Sequence, residues 1–179
     1  KNPFVILNGA LLDINKYELE LFGEEKENGS ISYGALEKAN KGTLLIDHIS
    51  EIPLEIQSKI LRVLIDQKFK RINGSSDIKV DVRLICSSNK DLKNEILTGN
   101  FREDLFHRIS VFEITIDSLN NRISDIPLLI KYFSEKISEN YNIKNLEIDE
   151  NDSYILNHNW KGNVRELRNL IERIAILQP

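Results

Sequence analysis

Short apolar runs that end in polar residues recur along the first two thirds of the chain. The runs at residues 4–7 and Gly42–Asp47 indicate buried central strands, and the run at 81–87 indicates a third strand rich in β-branched residues. A fourth run, at 111–116, has the same character. The pattern predicts four strands.

A segment whose apolar residues recur at helical spacing lies between the second run and the third. After Pro53, a residue tolerated in the first turn of a helix, apolar positions recur at Ile56, Ile60, Val63 and Leu64. Strands that alternate with helices of about 10 to 15 residues predict a parallel α/β sheet. The polar, glycine-containing stretch 23–34 predicts an exposed loop between the first two strands.

The last third of the chain shows helical spacing alone. Apolar positions form one stripe along 126–137 and another along 164–177. Asn163 is the predicted N-cap of the second helix, and Glu166 three residues later completes a capping box. We therefore expect an α/β core at 1–118 followed by a small all-helical part at 119–179.

Composition and charge exclude several classes of protein. The 179 residues carry 24 Lys and Arg against 28 Asp and Glu, a net charge of −4, so no basic surplus favours direct DNA binding by this chain. The single cysteine, Cys86, excludes an internal disulfide and favours a cytoplasmic location. No apolar stretch reaches the roughly 20 residues of a membrane span, so we expect no membrane partner. The chain begins at Lys1 and contains no methionine, so we expect it to be part of a longer protein.

Asp47 is the first candidate for chemistry. An apolar strand ending in a carboxylate is the arrangement by which α/β nucleotide hydrolases present an acid to Mg²⁺ bound to phosphate. Many strands also end in aspartate for reasons of turn geometry. Taken alone, the residue leaves both interpretations open.

Arg102 and Arg108 lie six residues apart, just before the fourth apolar run. They can be two solvated surface charges. In ring ATPases, however, arginines supplied to a neighbouring subunit neutralise charge that develops on the γ-phosphate, a role that suits the fixed fork of the guanidinium.

Five motifs in fixed order carry a resemblance to a known family. They are ELFG at 20–23, GTLLID at 42–47, QSKILRVL at 57–64, FREDLFHR at 101–108 and WKGNVREL at 160–167. In order and approximate spacing they resemble the AAA+ domain of bacterial enhancer-binding proteins, the activators of sigma-54 RNA polymerase. Many of these are response regulators of two-component systems. The resemblance implies a P-loop-type parallel sheet, truncated at its N-terminus, and a helical lid.

The resemblance also implies ATP and Mg²⁺ as cofactors of the intact protein. Asp47 resembles the Walker B aspartate, which holds the metal through water, and Asn89 resembles the sensor I residue near the γ-phosphate. Arg102 and Arg108 resemble paired arginine fingers, and Arg165 resembles the sensor II arginine of the lid. The first-turn position of Arg165, where cations are mildly disfavoured, fits phosphate contact.

His48 stands where the family has the glutamate that polarises the attacking water. A neutral imidazole, with a reference pKa of about 6.5, cannot reproduce the charge of a carboxylate. His48 can in principle act as a base, or the position can be degenerate or structural. We expect catalytic activity in this chain to be absent, with Asp47, His48, Arg102 and Arg108 as the residues on which any activity would depend.

The phosphate-binding loop of the family is not found in the chain. No Gly-Lys-Ser or Gly-Lys-Thr occurs, and Lys41-Gly42-Thr43 has these residue types in the wrong order. We expect the loop to lie upstream of Lys1. Because its backbone amides supply most of the phosphate contacts, we expect no tight nucleotide binding by these residues alone.

The loop at 24–33 also departs from the family. Members that engage sigma-54 carry a Gly-Ala-Phe-Thr-Gly-Ala tip here, whereas this chain has Glu24, Glu25 and Glu27, with Tyr33 as the only aromatic residue. We expect an extended, poorly ordered segment and burial of Tyr33 against the following helix. The NtrX group of response regulators lacks the tip, and GALEKA at 34–39 and KILRVLIDQ at 59–67 also resemble that group.

Two functions follow from these patterns. One is an NtrX-like regulator of transcription whose AAA+ domain retains or senses nucleotide, self-associates and does not bind sigma-54, with a sensor histidine kinase and DNA contacted through other domains. The alternative is a competent ATPase that activates sigma-54 RNA polymerase. The missing glutamate and the missing tip favour the first. The 101–108 motif disfavours a different AAA+ machine such as a helicase loader.

Overall fold

The computed structural model describes residues 2–11, 16–143, 146 and 148–177. The chain divides into two compact units, residues 1–113 and 114–179. Among the described residues, no helix is both long enough and apolar enough to cross a membrane.

A three-stranded parallel sheet organises the first unit. Its order is β1-β4-β7, with β1 at Phe4–Asn8, β4 at Gly42–Asp47 and β7 at Val82–Cys86. Asn8 pairs with Asp47, and Ile46 pairs with Cys86, so the three strands end at the same edge. These strands and their parallel arrangement confirm three of the four predicted strands.

Among the described residues of this unit, five α-helices and two short hairpins accompany the sheet. The helices are α1 (Tyr17–Phe22), α2 (Ala35–Lys38), α3 (Leu54–Asp66), α4 (Leu92–Leu97) and α5 (Glu103–Ile109). The antiparallel hairpins are β2 (Gly23–Glu25) with β3 (Ile31–Tyr33), and β5 (Lys68–Phe69) with β6 (Ile78–Lys79). The predicted helix after Pro53 is α3, and its apolar face is buried at Ile56, Ile60 and Val63.

The core of the first unit surrounds β4. Leu44 and Ile46 are completely buried, as are Leu21, Ile49 and Leu105 from the surrounding segments. The alternation of side chains along a strand explains why every second residue of β4 points into this core. The buried residues of β4 therefore fix the position of Asp47 at the edge of the sheet.

The prediction of a buried central strand is wrong for β1. Phe4 and Ile6 are 60% and 62% exposed, whereas Leu7 is buried. Within the described part of the chain, β1 pairs on one side only, with β4. The side chains of Phe4 and Ile6 lie on the same face of β1, and the described residues leave that face open.

The predicted fourth strand at 111–116 is not observed. This segment contains no strand, and Val111, Phe112, Ile114 and Ile116 are between 76% and 86% exposed. A strand requires a neighbour that satisfies its backbone groups. Among the described residues, β7 is paired only with β4, and no strand lies beside 111–116.

The prediction of an extended, poorly ordered segment at 24–33 is also wrong, because this segment forms the β2-β3 hairpin. The Lys26 amide donates to the Ser30 carbonyl at 2.9 Å, and the Asn28 side chain accepts hydrogen bonds from the amide and hydroxyl of Ser30. Gly29 adopts a φ of 80°, a left-handed conformation that favours glycine. Local hydrogen bonds thus outweigh the repulsion among the glutamates. Tyr33 is 52% exposed instead of buried.

The second unit is helical, as predicted. Its helices are α6 (Ile126–Tyr141), α7 (Ser153–Leu156) and α8 (Asn163–Leu177), packed around the buried Trp160, Leu167 and Ile171. The predicted capping box is not formed: Glu166 accepts a hydrogen bond from the Gly162 amide at 2.8 Å, whereas the Asn163 amide donates to the Trp160 carbonyl. The Asn163 side chain instead accepts a hydrogen bond from the Leu119 amide at 2.7 Å and so ties α8 to the preceding segment.

Candidate functional site

The candidate site begins at the carboxyl ends of β4 and β7. The Ser87 hydroxyl donates a short hydrogen bond to Oδ1 of Asp47, whose side chain is 40% exposed. Asn8 lies opposite Asp47 at the end of β1, where its side chain accepts a hydrogen bond from the Ala10 amide. Parallel strands therefore bring a carboxylate, a hydroxyl and an amide to one edge of the sheet, where α/β proteins bind ligands.

His48 lies directly beyond this carboxylate. It has φ 56° and ψ 50°, a left-handed conformation that is uncommon for a residue with a side chain. Its Nε2 atom lies 3.7 Å from Oδ2 of Asp47, and its side chain is about one third exposed. The turn therefore holds the imidazole next to the aspartate in an accessible position.

The donor set fits Mg²⁺ on chemical grounds. The Asp47 carboxylate and the Ser87 hydroxyl offer oxygen atoms, which this hard cation prefers. Mg²⁺ held by one or two carboxylates keeps several waters and substrate phosphates as its further ligands. Within the described ranges, no group of three or more His, Cys, Asp or Glu side chains is arranged to hold a metal ion. Asp47 and Ser87 can therefore supply only a minority of the ligands of such an ion.

Arg102 precedes α5, and its guanidinium faces Asp104. Nε and Nη2 donate to the two carboxylate oxygens of Asp104 at 2.9 and 2.6 Å. This hydrogen-bonded pair lowers the pKa of Asp104 and raises that of Arg102. Because both side chains are about half exposed, water competes with this contact and the guanidinium can leave it.

Arg108 lies near the end of α5 and reaches the end of α3. Its Nη2 donates to the Leu64 carbonyl at 2.9 Å. The structure thus places Arg102 directly before α5 and Arg108 near its end, and each guanidinium contacts its own unit.

The two other predicted site residues are exposed. Asn89 follows β7, in the segment after Ser87, and Arg165 lies in the first turn of α8 in the second unit. The structure therefore brings together Asp47 and His48 and adds Ser87, which the sequence argument did not single out. The polar end of the third predicted strand was the available signal for Ser87.

A second polar cluster, also absent from the sequence argument, joins the two hairpins. Arg71 is 9% exposed; its Nε and Nη2 donate to Glu37 at 2.9 and 2.6 Å, and its Nη1 donates to Glu25 at 2.9 Å. Its guanidinium also lies 5.5 Å from the centre of the Tyr33 ring. The backbones of Glu25 and Ile72 are hydrogen-bonded beside it. These contacts fix the β2-β3 hairpin onto the segment that follows β5.

Two family models match consecutive parts of the chain. The sigma-54 interaction domain matches residues 1–115, and the AAA+ ATPase lid domain matches residues 120–179. The boundary between the two matches lies close to the division between the compact units at residue 113.

Curated relatives match almost the whole chain. The nitrogen assimilation regulatory protein NtrX of Azorhizobium caulinodans is 44% identical over 179 residues, and the regulatory protein AtoC of Escherichia coli is 41% identical over 182 residues. Each alignment covers 99% of this chain, but only 39% and 40% of the relative. The chain therefore spans about two fifths of the length of these relatives.

Solved structures give the same result. NtrX from Brucella abortus is 44% identical and superposes with a TM-score of 0.90, covering 98% of this chain and 41% of that one. The structure of that protein in complex with ATP superposes with a TM-score of 0.89, covering 98% and 40%. From the family models, the identities and the shared fold, we conclude that this chain belongs to the sigma-54 interaction family of AAA+ domains and includes its lid.

Proposed function

We propose that this chain is the central AAA+ domain of an NtrX-like response regulator, which binds nucleotide but hydrolyses ATP slowly or not at all. The observation that carries this proposal is the position of His48. Its imidazole lies beside Asp47 at the end of β4, where the family carries a glutamate. The domain would then act as a nucleotide-dependent assembly module of a transcription regulator.

The nucleotide would bind at the edge where the parallel strands end. Asp47 would hold Mg²⁺ through water, Asn89 would contact the γ-phosphate, and Arg165 would contact the phosphates from the lid. Support comes from the accessible Asp47 carboxylate and its hydroxyl neighbour Ser87. It also comes from NtrX of Brucella abortus, whose structures include complexes with ATP and with ADP. Bound Mg²⁺ would offset phosphate charge and polarise the terminal phosphoryl group.

Slow hydrolysis follows from the chemistry of His48. Attack on the γ-phosphate requires a group that orients water and accepts its proton, and this assistance is typically worth about 10² to 10⁴ in rate. A neutral imidazole lacks the negative charge of the family's glutamate. His48 would therefore leave binding intact and remove most of the turnover.

Self-association would place Arg102 and Arg108 against the nucleotide of a neighbouring subunit. Arg102 is the N-cap residue of α5 and Arg108 lies near its end, and the Arg102 side chain is 40% exposed and bound to Asp104, which is itself exposed. A guanidinium can exchange such a carboxylate for a phosphate without loss of hydrogen bonds, since both accept its planar fork. Nucleotide would then strengthen association even where it is not hydrolysed.

We further propose that the domain does not bind sigma-54. The tip of the β2-β3 hairpin, residues 26–30, consists of Lys26, Glu27, Asn28, Gly29 and Ser30, and none of them is aromatic. The intact protein would instead act through a DNA-binding domain, in the cytoplasm, under the control of a sensor histidine kinase.

The alternative is a competent ATPase that activates sigma-54 RNA polymerase. Its support is the family itself, because the sigma-54 interaction domain matches residues 1–115. In this alternative, His48 would act as the base.

Nucleotide titration of the intact protein tests the proposal. We expect Mg-ATP to bind and to remain unhydrolysed over the time of the titration. Asp47→Asn should remove the dependence of ATP affinity on Mg²⁺, whereas Asp66→Asn, an exposed aspartate at the end of α3, should leave it unchanged. Absence of ATP binding, or turnover at the rate of active family members, contradicts the proposal.

A further inference from the structure

Gln57 is a completely buried polar residue in the first turns of α3. Burial of a primary amide is unfavourable unless its donors and acceptor find partners. The bonds of this side chain therefore indicate what it holds in place.

All three bonds of Gln57 go to backbone groups outside its own helix. Nε2 donates to the carbonyls of Ile52 at 2.7 Å and Asn100 at 3.1 Å, and Oε1 accepts from the amide of Arg102 at 2.9 Å. Two carbonyls and one N–H permit only one orientation of the side-chain amide. Glutamine is thus the residue type that satisfies this set of partners.

The rest of the segment before α5 is fixed just as closely. The amides of Asn100 and Phe101 both donate to the carbonyl of Glu95, at 2.8 and 3.1 Å. The side chains of Phe101 and Leu105, on either side of Arg102, are buried. The backbone of Arg102 is therefore immobilised by neighbours, while its guanidinium is 40% exposed and paired with Asp104.

The other end of the Gln57 amide reaches the turn that follows the candidate metal site. Ile52 ends the turn Ile49–Glu51, whose first hydrogen bond runs from the Glu51 amide to the His48 carbonyl at 3.0 Å. One side chain thus joins the turn that follows β4 to the backbone of Arg102. This turn comes directly after the candidate metal site of a subunit, and Arg102 is the residue that the subunit would offer to its neighbour.

We propose that Gln57 is a positioning residue for Arg102, which sets the place from which this arginine reaches the nucleotide of an adjacent subunit. The inference rests on the proposed function, because it requires nucleotide at that interface. Replacement by methionine leaves one amide and two carbonyls without partners in the interior, and the segment 98–102 then loses its fixed position. Replacement by glutamate keeps the acceptor for the Arg102 amide but places an acceptor oxygen against the two carbonyls.

The test uses the intact protein that contains this chain, in sedimentation experiments with Mg-ATP. Gln57→Met and Arg102→Gln should each raise the Kd of ATP-dependent self-association by about tenfold, equivalent to about 1.4 kcal/mol. The double variant should associate no more weakly than the single variant with the higher Kd, because both substitutions act on one contact. The ATP affinity of the dilute monomer should stay native in all three.

Ser58→Ala is the matched control. It is the next residue of α3, and its hydroxyl donates to the Leu54 carbonyl within the same helix, so association should remain native. Hydrogen exchange should become faster at 98–104 in Gln57→Met and stay native in Ser58→Ala. If Gln57→Met fails to fold, Gln57→Glu replaces it, and its association should lie between the native protein and Arg102→Gln.

Two results overturn the inference while the proposed function stands. In the first, Gln57→Met associates with the native Kd although Arg102→Gln associates more weakly. In the second, the loss of association in the double variant equals the sum of the losses in the two single variants. Native association by Arg102→Gln overturns the inference together with the role of Arg102. Failure of the native protein itself to bind ATP contradicts the proposed function and is visible before any variant is made.

Discussion

Arg71 binds both carboxylate oxygens of Glu37 through two parallel hydrogen bonds, from Nε at 2.9 Å and from Nη2 at 2.6 Å. The side chains of the two residues are 8% and 20% exposed, so this pair is shielded from water. A bidentate guanidinium–carboxylate contact is among the strongest hydrogen-bonded pairs in proteins. It fixes α2, which follows the β2-β3 hairpin, to the segment after β5.

We predict that Arg71→Met lowers the free energy of unfolding by about 2 to 3 kcal/mol, because it leaves the carboxylates of Glu37 and Glu25 without their partner. Urea unfolding measures this loss. Lys68→Met is the matched control, since it breaks the exposed Lys68–Asp77 pair at the neighbouring hairpin and should cause no measurable change. Equal stability of the two variants contradicts the prediction.

The single cysteine gives a second prediction. Burial raises the pKa of the Cys86 thiol from its ordinary 9.0 to about 12, so almost no thiolate is present at pH 8. We expect native protein to react with a thiol reagent far more slowly than protein unfolded in urea. Because these 179 residues contain a single cysteine, the labelling of native and unfolded samples of them reports on Cys86 alone. Labelling at the unfolded rate under native conditions excludes this burial.

The same pKa shift has a consequence for stability. Because the folded state holds the thiol proton more tightly than the unfolded state, the full contribution of Cys86 is present below pH 9. The free energy of unfolding should then fall as the pH rises from 9 towards 12, by at most about 1.4 kcal/mol per pH unit. Cys86→Ala should reduce this slope, and an identical slope in that variant contradicts the assignment.

A third prediction concerns the β2-β3 hairpin. A pull-down of sigma-54 by the intact protein, with a transition-state nucleotide analogue, should retain none above background, because the tip at 26–30 presents no aromatic side chain. A family member that carries the Gly-Ala-Phe-Thr-Gly-Ala tip serves as the positive control. Retention that disappears on deletion of residues 26–32 refutes the claim.

Most of the parallel sheet could be predicted from the sequence because local patterns determine it. The buried faces of β4 and α3 follow from the spacing of their apolar residues, and so does the helical second unit. The segment 111–116 shows the limit of this approach. Its apolar residues match a strand, but strand formation depends on a neighbour that local sequence does not specify.

The contacts of the candidate site were harder to predict, because they join residues distant in sequence. Ser87 and Asp47 are 40 positions apart, Gln57 and Arg102 are 45 apart, and Arg71 and Glu37 are 34 apart. Each is a polar contact between separate elements, and no periodicity marks it. The hairpin at 24–33 was missed for another reason, because a few local hydrogen bonds outweigh the charge of the segment.

The central claim is that His48 suppresses ATP hydrolysis without preventing nucleotide binding. The direct measurement is steady-state ATP turnover by the intact protein with native His48, with His48→Glu and with His48→Gln, at equal nucleotide occupancy. We predict that His48→Glu raises turnover by about a hundredfold or more, since it supplies a carboxylate base. His48→Gln, which cannot act as a base, should be as slow as the native protein. Turnover by the native protein that equals that of His48→Glu, or that falls sharply in His48→Gln, would show that His48 is a working base and contradict the account.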